Sequence, residues 1–413
     1  MNFSFLHAAD IHLDSPLRGL ERYPDAPVEE IRAAGRRAFD RLIELAIAEK
    51  VAFVVIAGDL YDVDWRDYHT GLYFSQRMGR LERQGIQVLL ARGNHDADSV
   101  ISKNLPLPEN VHLFAAKRPE TKLFPELGLA AHGQSYARRE MTENLAASFP
   151  QAVSGFFNLG VLHTALSGRA GHDLYAPCAV ADLLHKNYDY WALGHVHQRE
   201  TVSERPWIVF PGNIQGRSVK ECGEKGATVA RVVDGAVTDV RHVALDVLRF
   251  VHPRLDVSGC ARREDVFALT RQAIMRALSG ADGRALALRL TLYGRSPLLN
   301  ALIAQEDALR EEIRAVAIAC GPVWLEKLSL ETEDEDDAQN ADFPGADTVA
   351  TLLTELRHGD FFEELLRELS PEIAVLRAFC SFLPGGGADL ADADELRRGA
   401  LRLLAARLGG ART

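Results

Sequence analysis

The sequence predicts an α/β fold class: a layered β-sandwich domain flanked by helices, followed by a small α/β domain and C-terminal helices. First, residues 1–245 alternate short apolar runs with amphipathic helical periods. Second, 47% of the 413 residues are hydrophobic and 25% are charged, which is typical of globular chains and excludes collagen-like or disordered ones. Third, several early apolar runs are followed directly by a short polar motif. These observations predict a multidomain protein with a polar site at strand ends.

The first 245 residues supply the elements of the layered domain. Apolar runs of ordinary strand length lie at 3–8, 51–57, 86–91, 127–132, 159–163 and 188–193. Amphipathic periods predict helices at 28–49, 68–83 and 179–185. Runs rich in β-branched residues at 208–210, 227–233 and 237–243 predict strands that extend the first sheet or stack on it. We therefore assign residues 1–245 to one domain.

A second, smaller unit is predicted for residues 246–330. Its pattern is a strand at 247–251, a helix at 264–278, a strand at 285–293, a helix at 298–317 and a strand at 323–330. The acidic run at 331–337 contains no apolar residue. Because like charges repel and nothing there can be buried, residues 331–347 are expected to form a linker.

Residues 348–413 are expected to form a C-terminal helical region. Apolar residues recur at helical spacing over 348–369 and 373–382, and a last helix follows a proline-glycine break. One face of that helix carries Leu396, Ala400, Leu403, Leu404 and Leu408. This apolar face must be covered, either by the rest of the chain or by a partner protein.

The net charge and the positions of histidine and cysteine exclude several classes of protein. The net charge of −11 excludes a protein whose whole surface binds nucleic acid, and most of the acidic excess lies after residue 250. Twelve of the fourteen histidines lie between His7 and His242, which favours a metal or acid–base site in the first half. Five widely spaced cysteines predict neither a zinc ribbon nor a disulfide framework. With no signal peptide or long apolar run, we expect a cytoplasmic protein without a membrane segment.

Five polar motifs follow predicted strands in chain order. They are Asp10-Ile11-His12, Gly58-Asp59, Gly93-Asn94-His95-Asp96, the single His163, and Gly194-His195-Val196-His197. In α/β proteins, ligands gather at the carboxyl ends of strands, so these motifs are expected to converge on one edge of the sheet. The three glycines are expected to allow sharp turns and close approach of a ligand to the backbone.

The converging side chains have the chemistry of a metal site. The candidate ligands are Asp10, His12, Asp59, Asn94, His163, His195 and His197. Seven such donors are too many for one tetrahedral ion but suit two divalent ions that share a carboxylate. Oxygen and imidazole donors suit manganese, iron or zinc. His95 adjoins a candidate ligand and can protonate a leaving oxygen without binding metal.

At these residues the sequence resembles the calcineurin-like metallophosphoesterase superfamily. Its pattern of DxH, GDxxD, GNHD, a single His and GHxH matches the five motifs, with Asp62 closing the second. The stretches 7–17, 191–199 and 210–217 are similar to those of SbcD/YhaO-type DNA repair exonucleases. The resemblance covers about residues 1–250 and continues beyond them only in outline.

The resemblance implies a site and an activity. One metal would be held by Asp10, His12 and His197 and the other by Asn94, His163 and His195, with Asp59 bridging and His95 as the general acid. The implied function is metal-dependent DNA exonuclease or endonuclease activity in DNA repair. The implied metal is Mn²⁺, with Fe²⁺ or Zn²⁺ as alternatives. The implied partners are an SMC-like coiled-coil ATPase and a second copy in a homodimer, and residues 246–330 would cap the metals.

Two other functions fit the same motifs. A phosphatase or phosphodiesterase acting on small substrates such as cyclic nucleotides would use identical core chemistry, and a non-catalytic scaffold could retain the fold. The arginine that protein phosphatases carry soon after GDxxD stands in a different context here, in the segment 63–67. Candidate DNA contacts are Arg138, Arg199 and Arg217. The length of the added domains favours a macromolecular substrate.

Overall fold

The computed structural model describes residues 1–15, 33–62, 68–98, 107–168, 174–295, 298, 302–303 and 305–331. The chain divides into two compact units, with the boundary between Arg249 and Phe250. The predicted linker, apart from Glu331, and the predicted C-terminal helical region 348–413 lie outside the described residues. The same holds for the start of the helix predicted at 28–49.

The first unit contains, in its described part, twelve strands and four α-helices. In chain order these are β1 (Phe3–Ala8), α1 (Ala34–Ala48), β2 (Phe53–Ala57), α2 (Tyr68–Glu82), β3 (Gln87–Ala91), α3 (Asn94–Asp98), β4 (Val111–Leu113), β5 (Glu120–Phe124), β6 (Leu129–Gln134), β7 (Phe157–His163), α4 (Val180–Leu184), β8 (Tyr190–Gly194), β9 (Glu200–Glu204), β10 (Trp207–Phe210), β11 (Gly226–Val233) and β12 (Ala236–Ala244). Short 3₁₀ turns lie at Leu145–Ser148 and Val219–Glu221.

Two six-stranded sheets form the centre of this unit. The first has the order β12-β11-β1-β2-β3-β4, with β1 to β4 parallel and β11 and β12 antiparallel. The second has the order β5-β6-β7-β8-β10-β9, with parallel strands inside and antiparallel strands at both edges. All parallel strands within a sheet end at the same edge, so the loops after them are neighbours.

The sheets stack face to face because alternate residues of their strands are apolar. Phe5 of β1 stacks on Phe53 of β2 with ring centroids 5.0 Å apart, and Tyr190 of β8 meets Phe5 edge-on at 5.0 Å. Burial of one such ring stabilises the fold by about 1.5–3 kcal/mol. The opposite face of the first sheet packs on α1 and α2, through residues such as Phe39 and Phe74. The α/β class and the layered sandwich flanked by helices are therefore confirmed.

The strands that sequence patterns missed are the short or polar ones. β4 has three residues, and β5 and β9 contain mostly polar residues at sheet edges. Edge strands bury less apolar surface and need less apolar sequence. Among the strands predicted in this unit, 3–8 coincides with β1, and the others differ from the structure by up to two residues at either end.

The second unit is a four-stranded sheet covered by two long helices. It contains β13 (Leu248–Val251), β14 (Arg254–Asp256), α5 (Arg263–Ser279), β15 (Ala285–Tyr293), α6 (Glu306–Cys320) and β16 (Val323–Glu331). β15 pairs in parallel with β14 and β16. The helix predicted at 298–317 is interrupted: Leu298, Leu302 and Ile303 are helical, and α6 begins at Glu306 after the non-helical Gln305. β14 was not predicted.

Two further findings concern the described residues. Cys178, Cys222, Cys260 and Cys320 are free thiols. In this part of the chain, no helix combines the length and the apolar character needed to cross a bilayer.

Candidate metal centre

The polar motifs lie at the carboxyl ends of strands from both sheets. Asp10 and His12 follow β1, Asp59 follows β2, and Asn94 begins α3 after β3; His163 ends β7, while His195 and His197 follow β8. The expectation of a single sheet edge is therefore wrong. The sandwich brings β2 against β7 and β8, so two sheets contribute to one cluster.

The first group of donors consists of Asp10, His12 and His197. One ligand atom from each lies within 4.8 Å of the others. The Nε2 atoms of His12 and His197 are 3.3 Å apart, and His197 Nε2 is 3.9 Å from Asp10 Oδ1. Asp10 is further fixed by the backbone N–H of His195, which donates to both carboxylate oxygens at 3.1 and 3.0 Å.

The second group surrounds His163 and Asp59. His163 Nε2 lies 3.0 Å from Asn94 Oδ1 and 3.4 Å from Asp59 Oδ2. The same Asp59 oxygen is 3.9 Å from His12 Nε2, so Asp59 lies between the two groups. The ring of His195 is 5.2 Å from that of His163. All seven predicted donors thus lie in one largely buried cluster.

Hydrogen bonds at Nδ1 of three of the histidines leave Nε2 to bind a cation. Nδ1 faces an acceptor in three cases: Asp62 at 3.1 Å for His12, Ala57 O at 2.9 Å for His163, and Glu221 at 2.7 Å for His197. Because each acceptor needs a donor, Nδ1 carries a proton and Nε2 is the nitrogen left to bind a cation. Three Nε2 atoms then face two buried carboxylates, and a cation at this place would take the position of a proton. The residues therefore fit divalent metal ions.

The charges of the cluster are coupled. Burial raises the pKa of Asp10 to about 6, although His197 and His163 lower it. Burial also disfavours the charged form of Asp59, yet the neighbouring His163 holds the pKa of Asp59 well below its usual range. Burial lowers the pKa of His163, but Asp59 outweighs this and raises it to about 9. Without a metal, a proton on His163 balances the carboxylates.

His95 lies at the more accessible side of the cluster. Its side chain is 28% exposed, whereas Asp59 is 2% exposed. His95 Nδ1 is 2.9 Å from Asp62 Oδ1, and its backbone N–H donates to Asp59 Oδ1 at 3.0 Å. Burial lowers the pKa of His95, but the carboxylates of Asp62 and Asp59 outweigh burial and raise it above its ordinary value. The imidazole is therefore suited to carry a proton.

Backbone geometry at the cluster is unusual. Asp10, His12 and Asp59 have φ of 51°, 46° and 52°, in the left-handed region that only a few per cent of non-glycine residues adopt. Glycine is required for close packing at two positions. A Cβ on Gly93 would lie 2.2 Å from Asp59 Oδ1, and one on Gly194 would lie 1.9 Å from a backbone oxygen of β2. These two glycines therefore admit neighbouring protein atoms that a side chain would displace.

Several residues of the centre carried no assigned role in the sequence analysis. The buried carboxylate of Asp96 accepts the backbone N–H groups of Leu60, Tyr61 and Gly93 at 2.9–3.1 Å, which ties two motif loops together. Glu221 holds His197, and no motif pointed to it. The GNHD signature could have suggested Asp96, whereas a single glutamate in a charged loop offers no such signal.

The three candidate DNA-contacting arginines lie in different settings. Arg217 is in the cluster, with Nη2 3.3 Å from Glu221 and Nη1 3.8 Å from Asp62. Arg138 is 61% exposed and pairs with Glu143 at 2.5 Å. The structure brings Arg199 close to Tyr190 and His242.

His132 is fully buried and bonded to Thr121 and Asn158, which is a structural role. His172 lies outside the described residues.

Comparisons with known proteins agree with this chemistry. The family model of the calcineurin-like phosphoesterases matches residues 3–199, and that of the middle domain of the metallophosphoesterase YhaO matches residues 250–333. The chain is 34% identical to the uncharacterized metallophosphoesterase YhaO of Bacillus subtilis over 355 residues, covering 83% of this chain and 85% of that protein.

Two more distant similarities were found. The DNA double-strand break repair protein Mre11 of Methanopyrus kandleri is 26% identical over 242 residues, which cover 54% of this chain and about half of that protein (51%). A crystal structure of a dimetal phosphatase from Danio rerio aligns with 56% of this chain and 93% of its own, at 12% identity and a TM-score of 0.35.

Proposed function

This chain belongs to the calcineurin-like phosphoesterases, in the family of the metallophosphoesterase YhaO, and we propose that it is a two-metal nuclease that hydrolyses phosphodiester bonds of DNA. The observation that carries the proposal is the convergence of seven donors with His95 and Arg217 beside them. The similarity to Mre11, a protein named for DNA double-strand break repair, supports DNA as the substrate. We propose exonuclease or endonuclease activity in repair.

The donors are proposed to hold two divalent cations. Asp10, His12 and His197 would hold one, and Asn94, His163 and His195 the other, with Asp59 shared. Bound there, the cations would supply positive charge to polarise a phosphoryl group and to lower the pKa of a water molecule. The mixture of carboxylate, amide and imidazole donors suits Mn²⁺, and it also permits Fe²⁺ or Zn²⁺.

Protein groups are proposed to handle the proton and the phosphate. His95 Nδ1 lies 2.9 Å from the Asp62 carboxylate, and Nε2 of the protonated ring is proposed to donate a proton to the departing oxygen. A sugar oxygen is a poor leaving group without that proton. Arg217 is proposed to contact a non-bridging phosphate oxygen through its guanidinium. Arg138 and Arg199 would contact flanking phosphates.

Residues outside the metal centre are proposed to set the biological context. Residues 246–330 would cap the centre, and residues 331–347 would link it to the C-terminal region. Residues 348–413 would dock an SMC-like coiled-coil ATPase, in a cytoplasmic complex that also contains a second copy of the chain. Deletion of 345–413 should abolish co-purification with such an ATPase and leave Mn²⁺ binding unchanged. Retained co-purification would refute the docking role.

The substrate proposal is tested by a direct comparison. With Mn²⁺, the protein should degrade end-labelled linear DNA, and chelation by EDTA should stop the reaction. Bis-p-nitrophenyl phosphate and cyclic nucleotides serve as small substrates. Rapid turnover of cyclic nucleotides without degradation of DNA would refute nuclease activity and favour a small-molecule phosphodiesterase. No turnover of any phosphoester would favour a scaffold.

A further inference from the structure

The carboxylate of Glu221 connects four groups around the metal centre. Glu221 ends the 3₁₀ turn Val219–Glu221, and its side chain is 13% exposed. Oε1 lies 2.7 Å from Nδ1 of His197 and 3.3 Å from Nη2 of Arg217. Oε2 accepts the side-chain N–H of Asn213 and the backbone N–H of Arg217, both at 2.8 Å. Both oxygens of this carboxylate are therefore fully engaged.

His197 has two neighbours that compete for its Nδ1 atom. Arg217 Nη2 is 3.2 Å from this nitrogen, and Glu221 Oε1 is 2.7 Å from it. A guanidinium has only donors, so bonding to Arg217 would require a lone pair on Nδ1 and would put the proton on Nε2. A carboxylate only accepts, so bonding to Glu221 puts the proton on Nδ1. Only the second tautomer leaves Nε2 able to bind a cation.

We propose that Glu221 is a positioning residue that selects the metal-binding tautomer of His197 and keeps Arg217 directed toward the substrate phosphate. The inference rests on the proposed function, because it takes His197 as a metal ligand and Arg217 as a phosphate contact. It adds a residue to which no motif pointed. It also explains why an arginine is tolerated beside a cation site: Glu221 neutralises it and takes the Nδ1 proton.

Arg217 is held in place by some of its N–H groups, while its Nε has no acceptor among the described residues. Glu221 binds its backbone N–H and one guanidinium nitrogen, and Asp62 lies 3.8 Å from the other guanidinium nitrogen. Among the residues that the structure describes, Nε of Arg217 has no hydrogen-bond partner. The guanidinium therefore keeps donors available beside His197, where a phosphate would approach the cations.

The main chain of His197 is held separately from its ring. The buried ammonium group of Lys225 donates to the carbonyl oxygen of His197 at 2.8 Å. Loss of Glu221 should therefore free the ring without displacing the loop. This separation predicts a change in metal affinity with little change in folding.

The test compares Glu221→Ala and Glu221→Gln with Glu224→Gln, a matched control three residues along whose side chain is 53% exposed. Mn²⁺ binding is measured by calorimetry, and the Mn²⁺ pair is observed by electron paramagnetic resonance. The wild type and the control should bind two ions. Glu221→Ala should bind one ion about 10- to 100-fold more weakly, and the spectrum of a coupled pair should give way to that of isolated Mn²⁺. Glu221→Gln should lie between them, because its amide oxygen still accepts from Nδ1.

A double variant separates tautomer selection from simple structural support. In Glu221→Ala/Arg217→Met the competing donor is gone, so Mn²⁺ affinity should partly recover relative to Glu221→Ala alone. Thermal unfolding in EDTA should show every variant folded, with the same lowered midpoint for Glu221→Ala and the double variant, because the N–H groups of Asn213 and Arg217 lose their acceptor in both. Wild-type affinity for both ions in Glu221→Ala, or no recovery in the double variant, would overturn the proposal.

The Mn²⁺-binding test of Glu221 and the DNA assay of the proposed function can fail separately. If wild-type protein fails to hydrolyse DNA while Glu221→Ala selectively loses one Mn²⁺ ion, the nuclease proposal fails and the role of Glu221 stands. If wild-type protein binds fewer than two Mn²⁺ ions, His197 has lost its assigned role and the inference about Glu221 fails with it.

Discussion

Replacement of His95 by glutamine should slow DNA hydrolysis and spare metal binding. Nδ1 of His95 lies 2.9 Å from Asp62 Oδ1, and His95 is not one of the seven candidate ligands. Its backbone N–H, which donates to Asp59 Oδ1 at 3.0 Å, is retained in the variant. The substitution therefore removes a proton donor and leaves the hydrogen bond to the metal-binding carboxylate.

The size of the effect follows from the role of a general acid. A positioned acid typically contributes about 10²- to 10⁴-fold in rate, which corresponds to about 3–5 kcal/mol of activation free energy. This contribution depends on the leaving group. A sugar oxygen needs the proton, whereas p-nitrophenolate leaves readily as an anion. The loss should be large on DNA and small on bis-p-nitrophenyl phosphate.

The assay measures kcat/KM for both substrates in wild type, His95→Gln and the exposed-surface control His185→Gln, at saturating Mn²⁺. Calorimetry should find two Mn²⁺ ions in all three proteins. Equal losses on the two substrates would contradict proton donation by His95, and a lost ion would mean that His95 supports the metals instead.

Three further predictions concern packing, protonation and the core. Gly93→Ala should abolish Mn²⁺ binding, because the new Cβ would lie 2.2 Å from Asp59 Oδ1, whereas Gly35→Ala, where a Cβ meets nothing within 4 Å, should bind two ions in calorimetry. Apparent Mn²⁺ affinity should rise with pH up to about 9, because the raised pKa of His163 keeps its metal-binding nitrogen protonated below that pH. Calorimetry in buffers of different ionisation enthalpy should detect the released proton. An Mn²⁺ affinity that does not change from pH 7 to 9 would contradict this prediction. Phe5→Ala should lower the free energy of unfolding by about 3–5 kcal/mol in urea titrations, since Phe5 is fully buried between the sheets; a loss similar to that of a surface substitution would refute its place in the core.

Sequence patterns predicted the strands and helices whose own residues determine their structure. β1 coincides with its predicted range because its six residues are mostly apolar and end at a polar motif. β5 escaped prediction because it is polar, and its pairing with β6 supplies stability that its own sequence does not reveal. The helical pattern predicted at 298–317 is interrupted at Gln305, between the helical residues Leu302 and Ile303 and the start of α6 at Glu306, and the apolar spacing does not reveal that break.

The candidate site was likewise predictable only in part from the sequence. The strand-end motifs identified the residues that cluster, because parallel strands bring their carboxyl ends together. Sequence could not reveal that the motifs come from two sheets, since sheet membership depends on long-range pairing. It also could not identify Glu221, whose importance arises from contacts with His197 and Arg217 made only in the folded chain. The ligand roles of the seven donors remain proposals that Mn²⁺ titration tests.

The buried carboxylate of Asp96 has a consequence for metal exchange. It holds the loops after β2 and β3 together through three backbone N–H groups, and these bonds involve no candidate ligand side chain. The positions of Asp59 and Asn94 therefore do not depend on a bound ion. A site built in this way can release one metal and accept another without refolding, so the ion it carries in a cell would follow the local supply of free metal rather than the order of events during folding.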